Sequence, residues 1–240
     1  MLTLARLPEI VTAHTVIKKH KSMRTKTLFL AALVAAVGVA SSMAQSNVYS
    51  LNVVGYVNKP FVTGFNLIAN PLNKGTNGLD EIMANANVPD NTIAFIWDTA
   101  AQDFLTLATY VSGSSSWIPN VNMPPGQGFF VLAPSDYTNT FVGEVMQGSI
   151  STTIAPSFNA IGSPVPIGGA LSNVLSQMPS LDNDLVFQWD STAQDFLNIS
   201  TWAAGSSQWI PELTFGVGEG MFYLSGAAGN TNWVRTFTVQ

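Results

Sequence analysis

Two pairs of aspartates, Asp98 with Asp103 and Asp190 with Asp195, hold the residue types best suited to chemistry in this 240-residue chain. Each pair sits in the same local sequence, Trp-Asp-x-x-Ala-Gln-Asp-Phe-Leu. Two carboxylates a few residues apart can work as acid and base on a glycosidic bond, and Glu144, Glu212 and Glu219 add further carboxylates. The same aspartates, lying between two apolar runs, are also suited to accept hydrogen bonds from turn amides. We read all four as turn residues. Duplication would demand two equivalent active sites, yet Glu144 aligns with Thr236 and Glu212 with Asn120. The spacing also lacks the regular series of oxygen ligands that makes a calcium loop.

Other routes to catalysis are closed by composition. The only two histidines, His14 and His20, lie near the start, and there is no cysteine. Downstream of them no imidazole or thiol remains for a nucleophile-base pair, a zinc or iron site, an iron-sulfur cluster or a disulfide. The sequence therefore points to no catalytic residue, no metal and no cofactor.

Aromatic residues are the next candidates. Trp97, Trp117, Trp189 and Trp209 are equivalent in pairs, and Tyr110 aligns with Trp202. Such rings could form an apolar platform for a sugar, and a duplicated Trp at strand spacing also suits a core anchor.

These residues belong to an internal duplication. GFNLIANP at 64–71 matches SFNAIGSP at 157–164, and from Trp97–Leu132 against Trp189–Leu224 there are 18 identities in 36 gap-free positions. Alternation through Ile93, Phe95 and Trp97 reads as a strand, the Asp-containing stretch as a turn, and Phe104 onward as the returning strand. Gly-Ser-Ser followed by Trp-Ile-Pro recurs at 113–119 and 205–211 as a tight connection and a short strand. The paired glycines Gly126 with Gly128 and Gly218 with Gly220 suggest a bend or bulge before an apolar strand. Apolar spacing at Leu79 with Ile82, and at Leu171 with Val174, predicts one short helix of two or three turns per repeat. The strand at 51–57 has no equally apolar counterpart before the second repeat.

At the N-terminus, residues 23–44 show a basic start, an apolar run from Leu28 to Ala40 and a small-x-small site at Ser42-Met43-Ala44, the pattern of an export signal. Residues 1–22 read as an upstream extension, with Met23 as an alternative start. The organisation expected is therefore an extension at 1–22, a signal peptide at 23–44, a first β repeat with an extra N-terminal strand at 45–148, and a second β repeat at 149–240. Beyond residue 44 only Lys59, Lys74 and Arg235 face thirteen carboxylates, a formal charge of about −10. That surface repels nucleic acid and anionic lipid, and no second apolar stretch is long enough to span a bilayer.

The early NVVGYVN strand at 52–58, FNLIANPL at 65–72, the Trp-Asp hairpin, PPGQGFF at 124–130 and FVGEV at 141–145 together resemble a family of secreted tandem-repeat β proteins from Verrucomicrobia and related bacteria. The likeness covers nearly all of residues 48–240, with GVGEGMF replacing PPGQGFF in the second repeat. It implies secretion and repeat architecture and transfers no catalytic residue.

The fold expected is mainly β: two tandem homologous antiparallel domains, sandwich-like or partly closed barrels, each with one short helix. The function expected is that of a noncatalytic secreted or envelope-associated structural or adhesion protein, periplasmic or at the cell surface. It would act by self-association or through other envelope proteins. The alternative is an extracellular carbohydrate-binding module using the paired Trp residues.

Overall fold

A computed structural model describes residues 53–83 and 87–239. The export segment expected at 23–44 and the extension before it lie outside the described residues.

Repeat 1 contains β1 (Val54–Phe61), β2 (Gly64–Ala69), α1 (Leu79–Ile82), β3 (Ile93–Asp98), β4 (Asp103–Val111), β5 (Ser116–Ile118), β6 (Gly128–Ala133) and β7 (Tyr137–Glu144). Repeat 2 contains β8 (Gly148–Ile154), β9 (Ser157–Gly162), β10 (Gly169–Ala170), α2 (Leu171–Val174), β11 (Leu185–Asp190) and β12 (Asp195–Ala203). It continues with β13 (Gln208–Ile210), β14 (Thr214–Phe215), β15 (Gly220–Ser225) and β16 (Thr231–Phe237). Both repeats lie in one compact unit, Asn52–Gln240.

Each repeat is an antiparallel sandwich. The five-stranded sheet of repeat 1 has the order β2-β6-β3-β4-β5, and that of repeat 2 the matching order β9-β15-β11-β12-β13. A two-stranded ribbon, β1 with β7 or β8 with β16, supplies the second layer. Neither sheet closes into a barrel. Between ribbon and sheet of repeat 1 lie Phe61, Ile68, Trp117, Phe129 and Phe141; the repeat 2 core holds Trp209, Phe215, Tyr223 and Trp233. The cores sit between layers because alternate residues of each strand point to opposite faces.

Two expectations need correction. The N-terminal strand does have a counterpart: β8 pairs with β16 as β1 pairs with β7. Sequence comparison missed it because only one face of the ribbon meets the core. Ile150 and Ile154 stand where repeat 1 has Val57 and Phe61, and serines and threonines fill the outward positions. Each helix is also only four residues long, a single turn rather than two or three. So short a helix depends on its surroundings for stability. Asn120 Oδ1 accepts from the Asp80 amide at 3.1 Å in α1, and Glu212 Oε1 from the Ser172 amide at 2.8 Å in α2. These aligned residues satisfy the same free helix N–H from a neighbouring loop.

Tyr137, on β7, stacks on Phe61 with ring centroids 4.6 Å apart. Its buried hydroxyl has no hydrogen-bond partner among the described residues. Burial pushes its phenol well above the ordinary range, and burial followed by the Asp184 contact does the same to Tyr223. An unfolded tyrosine loses its proton near pH 10, whereas these folded ones keep theirs. Stability present below that pH is therefore lost as pH rises through it, by about 1.4 kcal/mol per unit per group. Tyr137→Phe removes an unsatisfied hydroxyl, so we expect denaturant melts at neutral pH to show equal or greater stability, by about 1 kcal/mol. The same melts above pH 10 should show a shallower alkaline loss; an unchanged slope would contradict the burial of this phenol.

Candidate functional site

The two sheets face each other across a seam built almost wholly from aromatic side chains. Strands β6 and β15 run through GFFVLA and GMFYLS, apolar without alternation because both of their faces are covered. Phe129 and Val131 enter the core of repeat 1, while Phe130 points into the seam beside Leu67. Met221 and Tyr223 enter the core of repeat 2, while Phe222 meets the seam beside Ala160. Around this buried centre stand Phe65, Phe95, Trp97 and Phe104 with their equivalents Phe158, Phe187, Trp189 and Phe196. Edge-to-face contacts predominate, such as Trp97 on Phe222 at 5.1 Å and Trp189 on Phe130 at 4.9 Å. Those geometries bring positive ring edges onto negative ring faces.

Polar groups lock the seam reciprocally. Trp97 Nε1 donates to the Phe158 carbonyl at 3.0 Å. Gln102 completes the grip, its Nε2 donating to that same carbonyl at 3.0 Å and its Oε1 accepting from the Phe158 amide at 2.8 Å. In the mirror-image clasp, Trp189 and Gln194 both donate to the Phe65 carbonyl at 2.9 Å, and Gln194 Oε1 accepts from the Phe65 amide at 2.6 Å. Each clasp holds the edge strand of the other repeat. Backbone bonds repeat the pattern: Ala69 N–H donates to Gly218 O at 3.1 Å and Gly162 N–H to Gly126 O at 3.0 Å. The repeats thus meet through the same surface on both sides, as in a two-fold dimer.

The seam covers only part of each sheet face. Register places Leu67, Phe130, Phe95 and Leu107 side by side across repeat 1. Along that row the first two are buried, Phe95 is half-buried and Leu107 is 51% exposed. The equivalent row, Ala160, Phe222, Phe187 and Ile199, ends in a residue 47% exposed. Ile118 and Ile210 lie on the adjoining short strands at 59% and 55% exposure. Beside the strips the seam opens into two clefts whose linings are entirely aromatic. One, of about 350 Å³, runs between Trp97 and Phe104 on one side and Phe158 and Phe187 on the other. Its counterpart, of about 310 Å³, runs between Phe65 and Phe95 and Trp189 and Phe196.

A second pair of grooves, at the ends of the seam, has diverged in charge. One places Trp97 and Thr99 beside Gln127, Thr152 and Thr153, all uncharged. Its counterpart has Trp189 and Ser191 beside Glu219, Lys59 and Pro60. There burial lowers the affinity of the Lys59 ammonium for its proton, and Glu219 opposes that shift.

The residues singled out from sequence separate into distinct places. Trp117 and Trp209 lie inside their own sandwiches, 2% and 3% exposed, packed on Tyr110 and Trp202. Buried rings there leave no face for a sugar to stack on. Trp97 and Trp189 are the clasp residues. Asp98 Oδ1 accepts from the Ala100 and Ala101 amides, and Asp190 Oδ1 from those of Thr192 and Ala193. Asp103 and Asp195 each accept from the next residue's amide. Gly126 and Gly218 take positive φ, +87° and +72°. Gly128 and Gly220 serve close approach instead, since a Cβ on either would strike backbone of the other repeat at under 3 Å. Glu219 accepts from the Gly216 amide and from Gln188. Among the described residues, no three His, Cys, Asp or Glu side chains come within reach of one metal ion, and no helix is long and apolar enough to cross a membrane. Gln102 and Gln194 escaped sequence reasoning as site residues, although their repetition in Ala-Gln-Asp-Phe and their left-handed φ of 55° and 57° mark a constrained position.

In comparisons with known proteins, this chain matches no protein-family profile, no curated protein and no solved structure.

Proposed function

We propose that this protein is a noncatalytic structural or adhesion protein of the envelope or extracellular space, acting by assembly or protein interaction. One observation carries the reading: in both repeats a strip of exposed aliphatic side chains adjoins an aromatic cleft. Contiguous apolar surface of this kind marks interaction sites on soluble proteins. Its presence in both repeats argues against chance exposure, because either copy was free to become polar after duplication. Of the carboxylates that could support hydrolysis, Asp98, Asp190, Glu212 and Glu219 already accept from turn and helix amides.

Electrostatics shape the expected behaviour. The region beyond residue 44 carries about −10 charges, so copies repel one another at low ionic strength. Salt screens that repulsion and leaves apolar burial intact. Light scattering on the purified protein should therefore show particle mass rising with concentration, and rising further when salt is added. A constant monomer mass across the concentration series at both salt levels would refute assembly.

A further inference from the structure

Resting on the assembly reading above, we propose that each chain carries two equivalent docking grooves for further copies of itself, so that assembly is open-ended rather than a closed dimer. The groove of repeat 1 joins Leu107 and Ile118 to the cleft beside Phe95; that of repeat 2 joins Ile199 and Ile210 to the cleft beside Phe187.

The occupant follows from continuity with the seam. Leu107 stands in the same cross-strand row as Leu67 and Phe130, which repeat 2 already covers, and Phe95, which it covers in part. The sheet face is thus known to accept a homologous sheet face, and the exposed strip is the uncovered remainder of that surface. A second copy offers matching chemistry: β4 from Phe104 to Val111 and β12 from Phe196 to Ala203 contain no charged residue and no proline. Neither strip therefore brings like charges together when it meets another strip, although the chains as a whole repel.

Valence follows from symmetry. The repeats are related within the chain by a near two-fold exchange, as the reciprocal clasps of Trp97 with Gln102 and Trp189 with Gln194 show. That exchange places one groove on each repeat. A self-complementary contact with a single patch closes at two subunits, whereas a chain with two such patches binds two neighbours and continues.

Sedimentation and negative-stain microscopy on wild type, Leu107→Lys and the double variant Leu107→Lys/Ile199→Lys test this. Wild type is expected to form particles that lengthen with concentration. Leu107→Lys should stop at two chains, and the double variant should stay at one. Both sites are about half exposed, so denaturant midpoints should match wild type; if the double variant fails to fold, Ile118→Lys/Ile210→Lys probes the same two grooves. A wild type that ends as a closed dimer overturns the two-groove valence. A double variant that assembles like wild type overturns the groove assignment and leaves the assembly reading standing, whereas a wild type that remains monomeric removes both.

Discussion

Gly220→Val should separate the two repeats or prevent the native seam from forming. A Cβ at this position would lie 2.6 Å from the Ile68 carbonyl oxygen and 2.8 Å from its carbon. Those are backbone atoms of an edge strand, pinned by pairing with β6, so they cannot rotate aside as a side chain would. Overpacking of a well-filled site costs about 1–3 kcal/mol and more where nothing can move, and valine adds two further methyl groups. We expect a loss of at least about 3 kcal/mol in urea melts, with indole emission shifting to the red as Trp97 and Trp189 lose their cover. Gly128→Val should behave alike, since its Cβ would meet Ile161 N at 2.7 Å. Gly218→Ala provides the contrast. A Cβ there would make only ordinary contacts, the nearest atom being 3.6 Å away, and its cost comes from the φ of +72°, about 1–2 kcal/mol for a residue with a side chain. Equal stability of Gly220→Val and wild type would rule out the seam described here.

The second large effect concerns Arg235, which is 4% exposed and hydrogen-bonds only uncharged oxygens among the described residues. Its Nη1 donates to the Val174 carbonyl at 2.7 Å and to Ser163 Oγ at 3.3 Å, and its Nη2 donates to the Asn173 carbonyl at 3.0 Å. The guanidinium closes the C-terminus of α2, where free carbonyls concentrate partial negative charge. Repeat 1 solves the same problem differently: Asn139 Nδ2 donates to the Ile82 carbonyl at 3.1 Å. The position in repeat 1 that matches Arg235 is Phe141: Arg235 pairs with Ile150 as Phe141 pairs with Val57, and the apolar ring there leaves the cap to Asn139. Arg235→Met keeps most of the stem and removes every donor. It leaves the buried Val174 carbonyl without a donor at about 1–3 kcal/mol, partly offset because no charge need be buried, while the Asn173 carbonyl keeps the Ser176 amide at 3.3 Å. We expect a net loss of about 1–3 kcal/mol in thermal or urea unfolding, and only partial recovery in Arg235→Lys, since an ammonium cannot span the fork. A stable Arg235→Met variant would show that water or a shifted helix turn satisfies the Val174 carbonyl.

Much of each repeat was legible from residue order, and the unread parts share a cause. The turn position of Asp98 was readable because its partners, Ala100 and Ala101, lie two and three residues away. Strand β3 was readable through alternation at Ile93, Phe95 and Trp97. Strand β8 was missed because only two large apolar residues mark its inner face. The helices were overestimated because apolar spacing cannot state where a turn ends, and both stop after four residues.

Residue order alone establishes the duplication, the antiparallel strands, the position of the turns and the absence of imidazole and thiol chemistry downstream of residue 20. Each follows from composition or from interactions within a few residues. Long-range packing makes Trp117 a core residue and Trp97 a clasp, and has Gly128 permit contact between chain segments. The same holds for Gln102, which belongs to Phe158, 56 residues away, and for Gln194, which belongs to Phe65, 129 residues away. Periodicity states that a strand has two apolar faces, but not which surface will meet each one. That choice arises when two copies of one sheet pack on each other and leave a strip of each face uncovered.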